Sequence, residues 1–173
     1  MDEEHLIIPS GKLEDTLLPR LAGSVFHVTT QQAAIQILAD GEIANNKSGQ
    51  FMFMYPQAKN SYFRLKGCVC LFDLRSKSQE EIQEALTRYY FLNPFSTDKP
   101  VFFFLNASFY PNLIPYTEYL NEKAYDTMII PHVEAGYSGN ICLAMISMII
   151  WVEVTRLDEE SNSFSARRLL ETL

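Results

Sequence analysis

His27 and Thr29 stand two residues apart in Ser24-Val25-Phe26-His27-Val28-Thr29, a stretch dominated by β-branched and aromatic residues and therefore read as a strand. That spacing puts both side chains on one face, and a helix signalled from Gln31 to Asp40 starts just beyond, so two polar groups lie beside a helix N-terminus. Two such groups can grip a ribose. The same pattern also fits a buried histidine bonded to backbone and a threonine that only caps the helix. Further on, Lys59, Tyr62, Arg64 and Lys66 interleave cations with aromatics. Such a cluster binds a pyrophosphate or a single-stranded nucleotide by charge and stacking, or it is a solvated hairpin edge guarded by its lysines.

Other chemistries are excluded by what is missing. His5, His27 and His132 are far apart, and no cysteine or carboxylate spacing around them matches a zinc signature, so no metal is expected. Cys68-Val69-Cys70 places two thiols on one face of a strand but lacks a third ligand nearby, and the core reading is preferred. There is no nucleophile elbow, P-loop or dinucleotide glycine fingerprint. Fourteen Lys and Arg against 21 Asp and Glu give a net charge of −7, which excludes a long-range positive field that gathers nucleic acid, though not a local basic groove. Three cysteines, an odd count set in apolar runs, point to reduced thiols and the cytoplasm. The acidic start Met1-Asp2-Glu3-Glu4 is unlike a signal peptide. The apolar run Ile141 to Val154 is shorter than the roughly 20 residues a spanning helix needs, so no membrane association is expected.

The elements that must position these groups follow from periodicity and punctuation. Asp2 to Gly23 combines an apolar cluster, a Pro9-Ser10-Gly11 turn and leucines at 13, 17, 18 and 21 interrupted by Pro19, and residues 1–23 are read as an N-terminal helical extension. Thr29 or Thr30 caps the next helix, whose apolar side is Ala34, Ile37 and Leu38, and Gly41 ends it. The run Phe51-Met52-Phe53-Met54-Tyr55 suits either a buried strand or a pocket lining. Gly67 to Leu74 is a strand, and Ser78 with Glu81 forms a capping box that opens a helix over Gln79 to Phe91. Val101 to Asn106 is too continuously apolar to be half solvated and is expected at the centre of a sheet. A short helix is predicted over Thr117 to Ala124. Strands are predicted over Thr127 to Pro131 and Ile146 to Val154, joined through Glu134-Ala135-Gly136-Tyr137-Ser138-Gly139. A polar tail with a short helix is predicted over residues 158–173. The order, with no internal repeat, argues an α+β fold in one globular domain of residues 1–173.

The run Val25 to Ile43, with His-x-Thr at the end of an early strand, an amphipathic helix and a glycine exit, resembles the opening of the ADP-ribosyltransferase superfamily. Within it the likeness is to bacterial nucleic-acid-modifying toxins and related abortive-infection proteins. The strand from Gly67 and the strand-rich second half are similar to that fold in order and length. The resemblance implies two small, mostly antiparallel sheets around a cleft with flanking helices, and NAD as the bound substrate. It implies that His27 bonds the adenosine-side ribose with Thr29 in support, that Tyr62 or Tyr55 stacks on nicotinamide, and that Arg64 joins the NAD-binding set. A glutamate at the start of a late strand then holds the nicotinamide ribose and stabilises an oxocarbenium-like transition state. Asp126 lies at the start of the predicted strand but is the shorter acid; Glu134 has the reach but lies beyond that strand, in a glycine-containing turn.

Three functions follow. In the first, ADP-ribose passes from NAD to an unidentified acceptor, a nucleic-acid base, a protein side chain or water, and His27 converges with a late carboxylate on a cleft. The second is a non-catalytic binding module on the same fold, such as a bacterial or phage defence component, with an exposed apolar patch in place of that convergence. The third, an RNA phosphotransferase, needs arginines such as Arg64 and Arg75 to meet at a phosphate.

Overall fold

Val101-Phe102-Phe103-Phe104-Leu105 has no polar side chain to turn toward water, and it forms a strand buried along its whole length inside a sheet. The computed structural model describes residues 1–51, 56–94 and 96–155. In chain order the elements are β1 (Asp2–Pro9), α1 (Leu13–Leu21), β2 (Val25–Thr30), α2 (Gln31–Asp40), β3 (Glu42–Ile43), α3 (Tyr62–Leu65), β4 (Cys68–Asp73) and α4 (Gln79–Arg88). They continue with β5 (Pro100–Leu105), β6 (Leu113–Ile114), α5 (Tyr116–Asn121), β7 (Glu134–Ser138), β8 (Ile141–Cys142) and β9 (Ile146–Thr155). Seven strands make one sheet in the order β1-β9-β5-β2-β4-β7-β6, and β3 pairs with β8 in a small ribbon. Every pairing is antiparallel except β1 with β9, so the fold is α+β with a mostly antiparallel main sheet.

The large sheet is two half-sheets joined at a narrow seam. β2 and β4 pair through Val25 with Asp73 and Phe26 with Phe72. Beyond Phe26, β2 continues against β5 as far as Thr30, while β4 runs against β7 from Phe72 back to Cys68. Four strands, β1-β9-β5-β2, therefore lie on one side of the seam and three, β4-β7-β6, on the other.

One face of the sheet is covered by α1 and α4 around an aromatic centre. Phe26 packs against Phe72, Phe91, Phe102 and Phe104, and Phe72 stacks on Phe91 at 4.8 Å. Each such ring pair contributes about 0.5–1.5 kcal/mol beyond its area burial. The opposite face packs Val25, Leu71, Val101, Phe103 and Ile149 against Ala34 of α2 and against Ile43 and Ile141 of the ribbon. The local signals act as the sequence implies. Thr30, not Thr29, caps α2 by accepting the Ala33 N–H, and Gly41 closes it at φ 81°, where a side chain would be strained. Both halves of the Ser78–Glu81 capping box are formed.

Two segments differ from expectation. Residues 2–9 are not helical: they form an eight-residue strand parallel to β9, because Leu6 and Ile8 alternate inward while Ile7 is 74% exposed. Only the helix from Leu13 keeps the expected spacing, burying Leu13, Leu17 and Leu21. Thr127 to Pro131 forms no strand; it contributes a single bridge, Met128 with Ser61, and the late strand begins at Glu134. Residues 52–55, including Tyr55, and the predicted polar tail 158–173 lie outside the described residues.

Candidate functional site

His27 occupies the seam where the β2–β4 ladder stops. Its Nδ1 lies 3.0 Å from the Cys70 carbonyl oxygen, which can only accept, so Nδ1–H donates and Nε2 is left as an acceptor in the neutral ring. Burial pushes the imidazole below its ordinary pKa, partly offset by this hydrogen bond, so the neutral form is the one held at pH 7. Thr29 projects from the same face two residues on and is buried, as the strand spacing requires.

On the other side of Cys70 sits Glu134. Phe26 opposes Phe72 and Phe72 opposes Glu134, so these three side chains share one face of the sheet and His27, one residue on from Phe26, belongs to the other. The expected convergence of His27 with a late carboxylate on one cleft is therefore not formed: the two meet only through Cys70, His27 on its carbonyl and Glu134 beside its thiol on the other face. Glu134 is 6% exposed. Its Oε2 accepts the Ile130 N–H at 2.6 Å and its Oε1 takes a longer bond from the Ser61 hydroxyl at 3.4 Å. These donors favour the carboxylate, but burial outweighs them and raises the pKa to about 7. Ser61 Oγ also lies 3.6 Å from Cys70 Sγ, and burial, with the Glu134 carboxylate next in effect, pushes that thiol far above its ordinary range. With its thiol held protonated, Cys70 supplies no thiolate nucleophile.

The strand start that Glu134 occupies depends on a glycine. A Cβ at Gly136 would stand 2.3 Å from Cδ1 of the fully buried Phe63, so only glycine lets β7 pass under α3. That packing sets α3, and with it Ser61, against Glu134. Ser61 and Cys70 were not singled out as site residues from sequence; the signal was Gly136 within an otherwise strand-like run.

The remaining candidates are engaged elsewhere. Asp126 is exposed in a turn, with only its backbone carbonyl held, by Asn60 Nδ2 at 2.7 Å, so it does not begin a strand. Tyr62 is 3% exposed, its ring edge-to-face with Phe63 and Tyr119 and its hydroxyl donating to Glu122 at 2.9 Å while accepting from Lys66. A ring so enclosed presents no free face for stacking nicotinamide. Arg64 donates to the carbonyls of Lys59, Asn46 and Lys47, tying two loops together. Arg75 forms a two-point pair with Asp73 and lies over the Tyr110 ring, so the two arginines do not meet and the phosphotransferase reading loses its geometry. An open groove at the start of α2, lined by Thr30, Gln31, Gln32, Thr97, Asp98 and Lys99, takes in neither His27 nor Glu134.

Among the described residues no set of three His, Cys, Asp or Glu side chains is arranged to hold a metal ion, and no helix is long and apolar enough to cross a membrane. No family model matches this chain, and neither the curated proteins nor the solved structures contain a match to it.

Proposed function

We propose that the protein binds NAD at the seam between its half-sheets and transfers ADP-ribose to an acceptor, on a fold of the ADP-ribosyltransferase type. The observation that carries this reading is that Glu134 opens a late strand, as the resemblance implies; His27 lies on the opposite face of the sheet, so NAD meets both only across the seam where the β2–β4 pairing ends. His27 in its neutral form offers Nε2 to a ribose hydroxyl, which must donate. Glu134, once ionised, accepts from a second ribose and opposes the positive charge that develops as the glycosidic bond to nicotinamide breaks. The main sheet is a single seven-stranded one rather than the two small sheets that the resemblance implies, and the two-residue β2–β4 pairing is the narrow point in it that this reading uses as its cleft. The cytoplasm suits it, since Cys68, Cys70 and Cys142 are all free thiols.

A second reading, a non-catalytic binding module, is favoured by one group of facts: Glu134 is buried, and Tyr62 and Arg64 spend their polar groups on the protein itself. Titrating the protein with NAD by calorimetry, while following nicotinamide release in the same sample, separates the two. On the first reading the wild type binds and releases nicotinamide, Glu134→Gln binds but turns over at least about a hundredfold more slowly, and His27→Gln binds at least about tenfold more weakly. Absence of both heat and a melting shift at millimolar NAD would overturn it in favour of the binding module.

A further inference from the structure

Outside the seam, the described residues gather tyrosines on one outer face. Tyr119 of α5 is the hub: its ring stacks on Tyr116 at 5.9 Å, meets Tyr125 edge-on at 5.9 Å and meets buried Tyr62 at 5.5 Å. Tyr116 in turn lies against the His132 ring. Burial, and after it the neighbouring Tyr119 and Glu84, push the Tyr116 hydroxyl above its ordinary pKa. Tyr125 is 67% exposed, and Leu120 and Met128 beside it in the chain are 42% and 40% exposed. An aromatic and apolar surface of this kind, left open to water, marks a contact face.

Charge selects the partner. Six carboxylates stand on α4, α5 and the following turn, Glu80, Glu81, Glu84, Glu118, Glu122 and Asp126, against two cations there, Arg88 and Lys123, and Lys66 at the end of α3, on a chain of net charge −7. Lys66 and Arg88 are already paired with Glu122 and Glu84. Phosphates would be repelled from such a rim, whereas a cation gains both from the carboxylates and from the tyrosine faces. The protein uses that contact internally: the Arg75 guanidinium lies 4.4 Å from the Tyr110 ring centre and Lys66 lies 5.0 Å from that of Tyr62. A planar guanidinium stacks on such rings better than an ammonium does.

We propose that the face formed by Tyr116, Tyr119 and Tyr125 is a docking surface for a basic, arginine-bearing segment of a partner protein. It stands apart from the NAD reading, and its test contains no NAD. A short peptide of alternating glycine and arginine is titrated into the full chain by calorimetry at near-physiological salt, beside its lysine analogue and an oligothymidylate, with sedimentation run in parallel. The arginine peptide is expected to bind more tightly than the lysine one, and Tyr125→Ala to weaken it about fivefold or more while Tyr125→Phe retains it. Tyr125 is exposed, so its melting temperature is expected to stay unchanged, which separates lost contact from lost fold. Equal affinity in wild type and Tyr125→Ala would mean only diffuse attraction to an acidic protein and overturn the proposal. So would tighter binding of the oligothymidylate, a dimer that Tyr125→Ala dissolves, or no binding of the arginine peptide.

Discussion

Replacing Glu134 with glutamine is expected to change how stability depends on pH, because the carboxyl is buried beside an apolar sheet face. In the folded protein its pKa is about 7 against an ordinary 4.5. An acid whose pKa is raised by folding favours the native state while protonated. Its contribution is fully present below pH 4.5 and is lost as pH rises through 7, since over that window the native state holds a proton that the unfolded chain has released. At about 1.36 kcal/mol per unit of pKa, the full loss is about 3 kcal/mol, of which about 2–3 kcal/mol falls between pH 5 and 8. Glutamine is neutral throughout and nearly isosteric. Its carbonyl can accept the Ile130 N–H, and its amide can donate to Ser61, whose hydroxyl then reverses its role. Urea unfolding of wild type and Glu134→Gln, compared from pH 5 to 8.5, isolates this group because other titrations cancel in the difference. The variant is expected to gain on the wild type by about 2–3 kcal/mol across that range, or roughly 5–10 °C in melting temperature at pH 8. Parallel curves for the two proteins would refute the reasoning, since they would mean that Glu134 titrates alike in the folded and unfolded chains.

His27 works in the opposite direction. Burial lowers its pKa, so its contribution is present above the ordinary value of 6.5 and is lost as pH falls below it, and His27→Gln is expected to flatten the acid limb of the stability curve measured by urea unfolding. Just below pH 6.5 the two groups act in opposite directions, so each single variant is expected to change the slope there in the opposite sense to the other. Gly136→Ala drives a methyl group into the Phe63 ring and is expected to cost about 3 kcal/mol or more, with partial recovery in the Gly136→Ala, Phe63→Leu double variant; both are read by the same unfolding assay.

Elements whose signals are local were legible in the chain. Thr30 and Gly41 bound α2 where side-chain oxygen and left-handed backbone demand, Ser78 and Glu81 form their box, and Val101 to Leu105 is central because it is apolar at every position. His27 and Thr29 share a face because a strand alternates with period two. The candidate acid was harder to place. Thr127 to Pro131 has strand composition, yet it contributes only the Met128 bridge, while Glu134 to Ser138, interrupted by a glycine, is the true strand. Composition reports how well a residue suits a pleated, half-buried surface; which segment receives that surface depends on neighbours distant in sequence.

The sequence alone was enough to determine the α+β class, the helix caps, the central strand and the pairing of His27 with Thr29, all consequences of interactions within a few residues. Only the tertiary structure decided that Asp2 to Pro9 joins the sheet edge beside β9, that Tyr62 and Arg64 are consumed by Glu122 and by loop carbonyls, and that Glu134 comes to Cys70 beside the seam. Those outcomes rest on contacts between residues 50 or more positions apart in several cases. A side chain's freedom to meet a ligand is what remains after such contacts have been made, and no local pattern records it.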